Sequence, residues 1–262
     1  MSEEASNAAA AIAAGAGIDG IDMAFVLGSG WSRGADRLGT ILARFDLGTL
    51  PGFSRPVVAG HGGEAIVVRV HSGKTALVFT GRTHLYEGRG ATPVVHGVRT
   101  AAALGASTMV LTNGCGGLKP EWPPGTVVLI SDHINLTGEN PLFGPTFIDM
   151  SNAYDPTLRD LARRVEPTLP EGVYAQFRGP NYETPAEVRM AGILGASLVG
   201  MSTTLETIAA REAGMAVLGL SLVTNHASGV SPNPLSHAEV LAAGAAVADR
   251  LATLLAALAA QL

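Results

Sequence analysis

At 262 residues with 47% hydrophobic side chains, the chain can bury a large core as one domain and is too apolar to remain disordered. Seventeen basic against 22 acidic residues give a formal charge of −5, which excludes a global attraction to nucleic acid or to anionic membrane, so any phosphate site must be local. A single cysteine, Cys115, excludes an intramolecular disulfide and a Cys-rich zinc site and fits a reducing cytoplasm.

Residues 1–7 carry Glu3 and Glu4 where a secretory leader requires positive charge, and the Ala-rich stretch behind them reads as an N-terminal surface helix within 1–20. Runs rich in Val, Ile and Leu at 23–27, 64–70, 75–79, 108–112, 126–131 and 216–223 predict buried strands. The second and third, joined through Ser72-Gly73, read as a hairpin. Helices are expected between the strands. Thr92-Pro93 and Thr184-Pro185 each place an N-cap residue before a proline at the first helical position, and Gly105 and Gly195 supply C-caps. The Pro/Gly-rich stretch 138–145 reads as a loop. Thr203 with Glu206, and Ser236 with Glu239, have capping-box spacing. The last helix repeats apolar residues at Val240, Leu241, Val247, Leu251, Leu254, Leu255 and Leu258, which gives one buried face, and Asp249 with Arg250 speaks against a membrane span. Strands alternating with helices, without a repeat or linker, predict a single α/β domain over 1–262 with a central mixed β-sheet flanked by helices.

Polar residues unsuited to a core gather just after these strands, where ligands bind in open α/β sheets. Gly28-Ser29-Gly30 would let backbone N–H groups approach an anion beside the Ser29 hydroxyl, or it is a turn with no ligand. In Gly81-Arg82-Thr83-His84-Leu85-Tyr86-Glu87-Gly88, residues 82, 84 and 86 share one side if the segment stays extended. Arg82 can then grip a phosphate with two parallel hydrogen bonds, His84 adds a donor whose charge responds to the anion, and Tyr86 suits a sugar hydroxyl. Thr112 through Gly117 ends a strand with glycines that admit a flat ligand or a phosphate. Cys115 within it reads as a small buried residue in preference to a nucleophile. Ser202 precedes the helix capped by Thr203, beside free N–H groups at the positive end of a helix dipole, or is merely part of the cap. Met201 is a candidate floor for a sugar. Tyr182, Glu183 and Asn225 together suit a nitrogen heterocycle, although Glu183 alone would also favour the dipole of the helix it precedes.

These residues, with Gly60-His61, Gly179-Pro180-Asn181-Tyr182-Glu183-Thr184, Gly200-Met201-Ser202-Thr203, Thr224-Asn225 and Ser236-His237-Ala238-Glu239, occur in the order seen in trimeric purine nucleoside phosphorylases. The resemblance runs from about residue 24 to the C-terminus and looks actinobacterial in detail. It implies phosphate-dependent cleavage of inosine and guanosine, with phosphate as co-substrate and no metal or organic cofactor. It further implies that Ser29, His61, Arg82, His84, the Gly114 backbone and Ser202 bind phosphate, and that Tyr86, Met201 and His237 hold the ribose. Tyr182, Glu183 and Asn225 would bind the purine in a pocket lined by Cys115 and Gly116, with Asn225, Glu183 and His84 carrying the chemistry. Phe147 resembles the residue such trimers insert into a neighbouring subunit's site, so a homotrimer is expected. Many relatives have alanines where this chain has Gly114 and Cys115, and His226 also departs from the pattern, which leaves the edge of the purine pocket open. The rival readings are a methylthioadenosine phosphorylase, against which Asn225 and His237 speak, a noncatalytic nucleoside- or phosphate-binding module, and a hydrolase using water.

Overall fold

A computed structural model describes residues 2–54, 62–230 and 234–262, so the expected phosphate contact from His61 lies outside the described residues. In chain order the elements are α1 (Glu3–Ala16), β1 (Met23–Val26), β2 (Gly39–Asp46), β3 (Glu64–Val70), β4 (Thr75–Phe79), α2 (Ala91–Val94), α3 (His96–Ala103), β5 (Thr108–Gly117), β6 (Val127–Asn135), α4 (Pro156–Val165), β7 (Glu171–Gln176), α5 (Pro185–Ile193), β8 (Leu198–Gly200), α6 (Thr204–Glu212), β9 (Ala216–His226) and α7 (His237–Ala259). The strands form one mixed sheet in the order β2-β3-β4-β1-β5-β8-β7-β6-β9. Because β5 also pairs with β9 in parallel, the half of the sheet from β5 to β9 closes on itself as a five-stranded barrel. The sequence predicts the mixed α/β sheet and its β3–β4 hairpin, which turns at Gly73 with φ 84°. It does not predict the closure.

Side chains alternate along the strands, as pleating requires. Ala24 and Val26 of β1 face a core built with Ile12 of α1, Val98 and Ala101 of α3 and Leu205 of α6. Met23, Phe25 and Leu27 face the opposite layer, where Leu251, Leu254, Leu255 and Leu258 of α7 pack. Among the described residues α7 alone is long and apolar enough to cross a membrane. Its leucine face is buried in this core. Two expectations about α7 and α1 need correction. Leu241 is 42% exposed, and the stripe passes instead through Gly244 and Ala248. The N-terminal helix ends at Ala16, where Gly17 takes φ 62°, and it buries Ala5, Ala8, Ala9 and Ile12, so only its outer face is surface.

The start signals hold for α5, where Thr184 caps Glu187 and Glu187 returns the bond, and for α7, where Ser236 Oγ accepts from the Glu239 N–H. Gly105 and Gly195 follow α3 and α5 at φ 92° and 101°, conformations open to glycine at little cost. Thr92 does not cap: α2 begins at Ala91 behind Gly90, so Pro93 is its third residue. Three strands are missed by the sequence reading. β2 alternates partly buried and exposed residues and carries Arg44 and Asp46, β7 is flanked by Glu171 and Gln176, and β8 has three residues. Such segments lack the continuous apolar run that marks a buried strand.

Candidate active site

One solvent-connected cavity lies at the carboxyl ends of β1, β4, β5, β8 and β9. Ser29, Arg82, His84, Tyr86, Gly114, Cys115, Gly116, Tyr182, Glu183, Met201, Ser202, Asn225 and His237 all line it. Phe147, expected at a neighbouring subunit's site, does not line the chain's own cavity; its side chain stands 94% exposed on the loop before α4. Asn113, in the stretch expected to line the pocket, and Thr224 of the Thr224-Asn225 motif contribute as well, as do Val199, Leu235 and Val240, which were not expected at the site. The last three are signalled only by adjoining the Gly200-Met201-Ser202-Thr203 and Ser236-His237-Ala238-Glu239 motifs.

The turn after β1 is held against β5. Thr112 Oγ1 accepts the Gly28 N–H at 3.0 Å, and the Trp31 indole N–H donates to the Asn113 carbonyl at 3.0 Å. A Cβ on Gly28 would lie 2.6 Å from the Thr112 carbonyl oxygen and 2.8 Å from Arg82 Nη1. The absent side chain thus makes room for the arginine and for β5.

Arg82 is buried, and part of its donor set is engaged. Nε donates to Glu206 Oε1 at 3.1 Å and Nη1 to the Thr112 carbonyl at 2.7 Å. Nη2 has no hydrogen-bond partner among the described residues. These bonds lock the guanidinium to the protein through Nε and one Nη1 hydrogen, and leave both Nη2 hydrogens and the second Nη1 hydrogen for the two-pronged grip expected from the sequence. Beside it, the His84 ring stacks on Tyr86 with centroids 4.7 Å apart. Burial, reinforced by the Arg82 charge, holds the His84 imidazole below the ordinary histidine range, with Glu87 opposing. Glu87 accepts the His84 backbone N–H at 2.7 Å and its carboxyl sits 3.8 Å from Nδ1. Although burial pushes the Glu87 carboxyl up, its bonds with the His84 side chain and backbone bring it below the usual carboxylate range. Burial pushes the Tyr86 phenol up to about 12, so it stays a neutral donor.

The opposite wall is the turn between β8 and α6. The backbone N–H groups expected to face an anion are already satisfied: that of Ser202 by the Tyr174 hydroxyl at 3.3 Å, that of Thr203 by Glu206 at 3.0 Å and that of Thr204 by Gln176 at 2.8 Å. Ser202 therefore offers its hydroxyl, and the helix supplies only its dipole. Thr203 holds φ 82°, the one positive φ among described non-glycine residues.

Glu183, buried just ahead of the Thr184 cap, has no hydrogen-bond partner on Oε1 among the described residues. Burial, with the Glu187 charge behind it, pushes its carboxyl above the usual range. Asn225 gives one amide hydrogen to Thr224 Oγ1 at 3.2 Å, which leaves the second. Cys115 is fully enclosed and burial pushes its thiol up to about 12, so it is a packed wall residue with no thiolate to offer. A Cβ on Gly114 would press on Thr224 Cγ2 at 3.1 Å and meet Ser29 Cβ at an ordinary 3.5 Å, so an alanine fits there with a small shift. His226 turns outward to the Trp122 carbonyl at 3.2 Å and leaves the cavity to Asn225. Among the described residues no cluster of three or more His, Cys, Asp or Glu side chains is gathered to hold a metal.

Comparison with known proteins agrees with this layout. The sequence profile of the Phosphorylase superfamily matches residues 22–260. The purine nucleoside phosphorylase of a Cellulomonas species is 63% identical over 249 residues, 94% of this chain and 88% of that protein. That of Mycobacterium tuberculosis is 55% identical over 254 residues, 97% of this chain and 94% of its own length. A schistosoma purine nucleoside phosphorylase crystallised with hypoxanthine matches with TM-score 0.90 at 33% identity, over 99% of this chain and 97% of that one. A Schistosoma mansoni structure in complex with adenosine gives the same TM-score, identity and coverage. With the family profile spanning residues 22–260 and relatives 55–63% identical over nearly its whole length, the chain belongs to the phosphorylase superfamily and, within it, to the purine nucleoside phosphorylases, with actinobacterial members among its relatives.

Proposed function

We propose that the chain cleaves inosine, guanosine and their 2′-deoxy forms with inorganic phosphate, releasing the purine and (deoxy)ribose 1-phosphate for purine salvage. The observation that carries this reading is the pairing, in one cavity, of an anion cradle with a heterocycle slot. Ser29, Arg82, His84 and Ser202 form the cradle, and Tyr182, Glu183 and Asn225 form the slot. Tyr86, Met201 and His237 share the wall for the pentose.

The chemistry follows from charge. As the glycosidic bond breaks, positive charge grows on the ribose ring and the bonding electron pair passes into the purine. A phosphate oxygen forms the new bond to the anomeric carbon, and the anion's charge favours the cation-like sugar. The second amide hydrogen of Asn225 donates to N7 as that atom gains density. No protein nucleophile is needed, and no step assigned here requires a metal or organic cofactor.

Because Arg82 is paired with Glu206 and His84 is held neutral, the cradle carries little net charge before phosphate arrives. The dianion would raise the His84 affinity for a proton and so recruit a second cationic donor. Glu183 supplies base specificity: hypoxanthine and guanine present N1–H to its vacant oxygen, whereas adenine presents a lone pair. Since a Schistosoma mansoni relative was crystallised with adenosine, the discrimination assigned to Glu183 is sought in turnover.

The decisive measurement is hypoxanthine release from inosine with and without phosphate. Release only with phosphate supports the reading; release in phosphate-free buffer would make the protein a hydrolase, and none in either a binder. A second oligomeric element of the proposal is a homotrimer, supported by the exposed Phe147 on a loop that the chain's own cavity does not use. A cytoplasmic setting is supported by a lone buried cysteine that requires no oxidising compartment.

A further inference from the structure

Glu206 lies behind the cavity wall, and its spacing from Thr203 predicts no more than a carboxylate closing the first turn of α6. The structure gives it a second partner. Its Oε2 accepts the Thr203 N–H at 3.0 Å, and its two oxygens lie 3.1 and 3.0 Å from Arg82 Nε. Both side chains of the ion pair are at most 3% exposed. In so dry a setting the pair is strongly directional.

Thr203 is the residue that needs holding. Its left-handed φ is disfavoured for a β-branched side chain and persists only where the surroundings over-determine it. Asn113 Nδ2 donates to its Oγ1 at 2.8 Å, and the Thr207 N–H and Oγ1 donate to its carbonyl at 2.8 and 2.9 Å. Glu206 takes the remaining group, the N–H. One carboxylate thus joins the strained backbone next to Ser202 to the guanidinium of Arg82, two elements that come from different strands.

We propose that Glu206 is the positioning residue of the phosphate cradle: it fixes the Arg82 half relative to the Ser202 half, and so sets the distance across which phosphate is bound. This rests on the assignment of Arg82 and Ser202 to phosphate made above. A helix cap alone would not need the charge, because glutamine closes capping boxes as well. A carboxamide, however, cannot accept from Thr203 and from Arg82 while balancing the buried cation.

Glu206→Gln is therefore the informative variant. Misplacing a binding group by about 1 Å can lower rate by roughly 10²-fold, so the phosphate KM is expected to rise roughly 10- to 100-fold while the inosine KM at saturating phosphate stays within about 2-fold. Combining it with Arg82→Lys should give less than the sum of the two effects. Glu206→Asp keeps the charge but is one methylene short of serving both partners, and is expected to raise the phosphate KM likewise if the glutamine variant does not fold. An unchanged phosphate KM, with or without a lower Tm, overturns the proposal and leaves Glu206 a cap; so does failure of both variants to fold. Arg82→Lys and Ser202→Ala separate the two levels. If those leave the phosphate KM unchanged, the cradle itself is wrong; if they raise it and Glu206→Gln does not, only the positioning role falls.

Discussion

Two side chains decide whether the cavity is a nucleoside site, and each makes a distinct measurement. Asn225→Ala removes the donor proposed for the leaving purine, and the loss of one such donor costs on the order of 10²- to 10³-fold in kcat; a near-normal kcat in the folded variant would remove Asn225 from the mechanism. Glu183 bears on stability as well. Its folded-state carboxyl is raised by burial, so the folded protein carries an unfavourable buried charge that is absent below the unfolded pKa and develops as pH rises through the folded one. Glu183→Gln should therefore raise Tm at pH 8, by roughly 2–4 °C if about 1 kcal/mol is relieved in a chain of this size, with the gain vanishing below pH ~4. The same variant should lose turnover of inosine. Equal Tm values at both pH extremes would show that the carboxylate is not isolated in the way its vacant oxygen indicates. Such residues were legible in the sequence because Glu, Asn and Arg stand where a strand end would otherwise carry apolar or turn residues. What was not legible is how many donors are already engaged: the Arg82 bonds to Glu206 and to Thr112 span 124 and 30 residues of chain.

Among the elements, α7 tests how tightly the two ends of the site are packed together. It passes over the turn that carries Ser29 at backbone contact: a Cβ on Gly244 would lie 2.6 Å from the Gly30 Cα. The first turn of the same helix supplies His237 and Val240 to the cavity. Alanine is normally worth up to ~1 kcal/mol more than glycine inside a helix. Here the clash is with backbone, which cannot swing aside, and overpacking of this kind costs roughly 1–3 kcal/mol. Gly244→Ala is accordingly expected to lower Tm and to raise the KM values for both substrates; a higher Tm would mean that α7 yields at this point. The apolar periodicity predicted α7 itself but placed Leu241 on the buried face, because a stripe of glycine and alanine carries almost no hydropathy signal. For the same reason the central strands β1, β3 and β4 were read from their branched residues, while edge strand β2 and the three-residue β8 were not. The ends of β5, β6 and β9 were drawn too short at the point where polar side chains begin, although the backbone pairing continues through Gly117, Asn135 and His226.

At the scale of the molecule, closure of the β5–β9 half into a barrel is what brings Asn225 of β9 alongside Ser202 after β8. It depends on β5 exchanging β1 for β8 along its length, with the register shifting between Cys115 and Gly116. Gly116 makes this passage possible, since a Cβ there would stand 3.2 Å from both Ala227 Cβ and Val199 Cγ2. Nothing in local periodicity reports a partner exchange of this kind, and only the ordered set of motifs implied the assembled site. The remaining question at this scale is what Phe147 does. Its ring is almost wholly in water, and Phe143 on the same loop is 65% exposed, while Leu142, Ile148 and Met150 anchor the loop to the core. An anchored loop holding an aromatic ring outward is suited to covering a neighbour's pentose. Phe147→Ala should then leave Tm of the isolated fold nearly unchanged and raise the nucleoside KM roughly 10-fold, about the effect of losing 1.4 kcal/mol of apolar contact, with the phosphate KM unaffected. Complementation sharpens the test. Co-expressed with Asn225→Ala, the Phe147→Ala chain would receive an intact Phe147 from its neighbour and keep its own Asn225, so mixed oligomers should recover parental nucleoside affinity at a fraction of their sites. Full activity from a sedimenting monomer, or no recovery on mixing, would leave Phe147 without a role in catalysis.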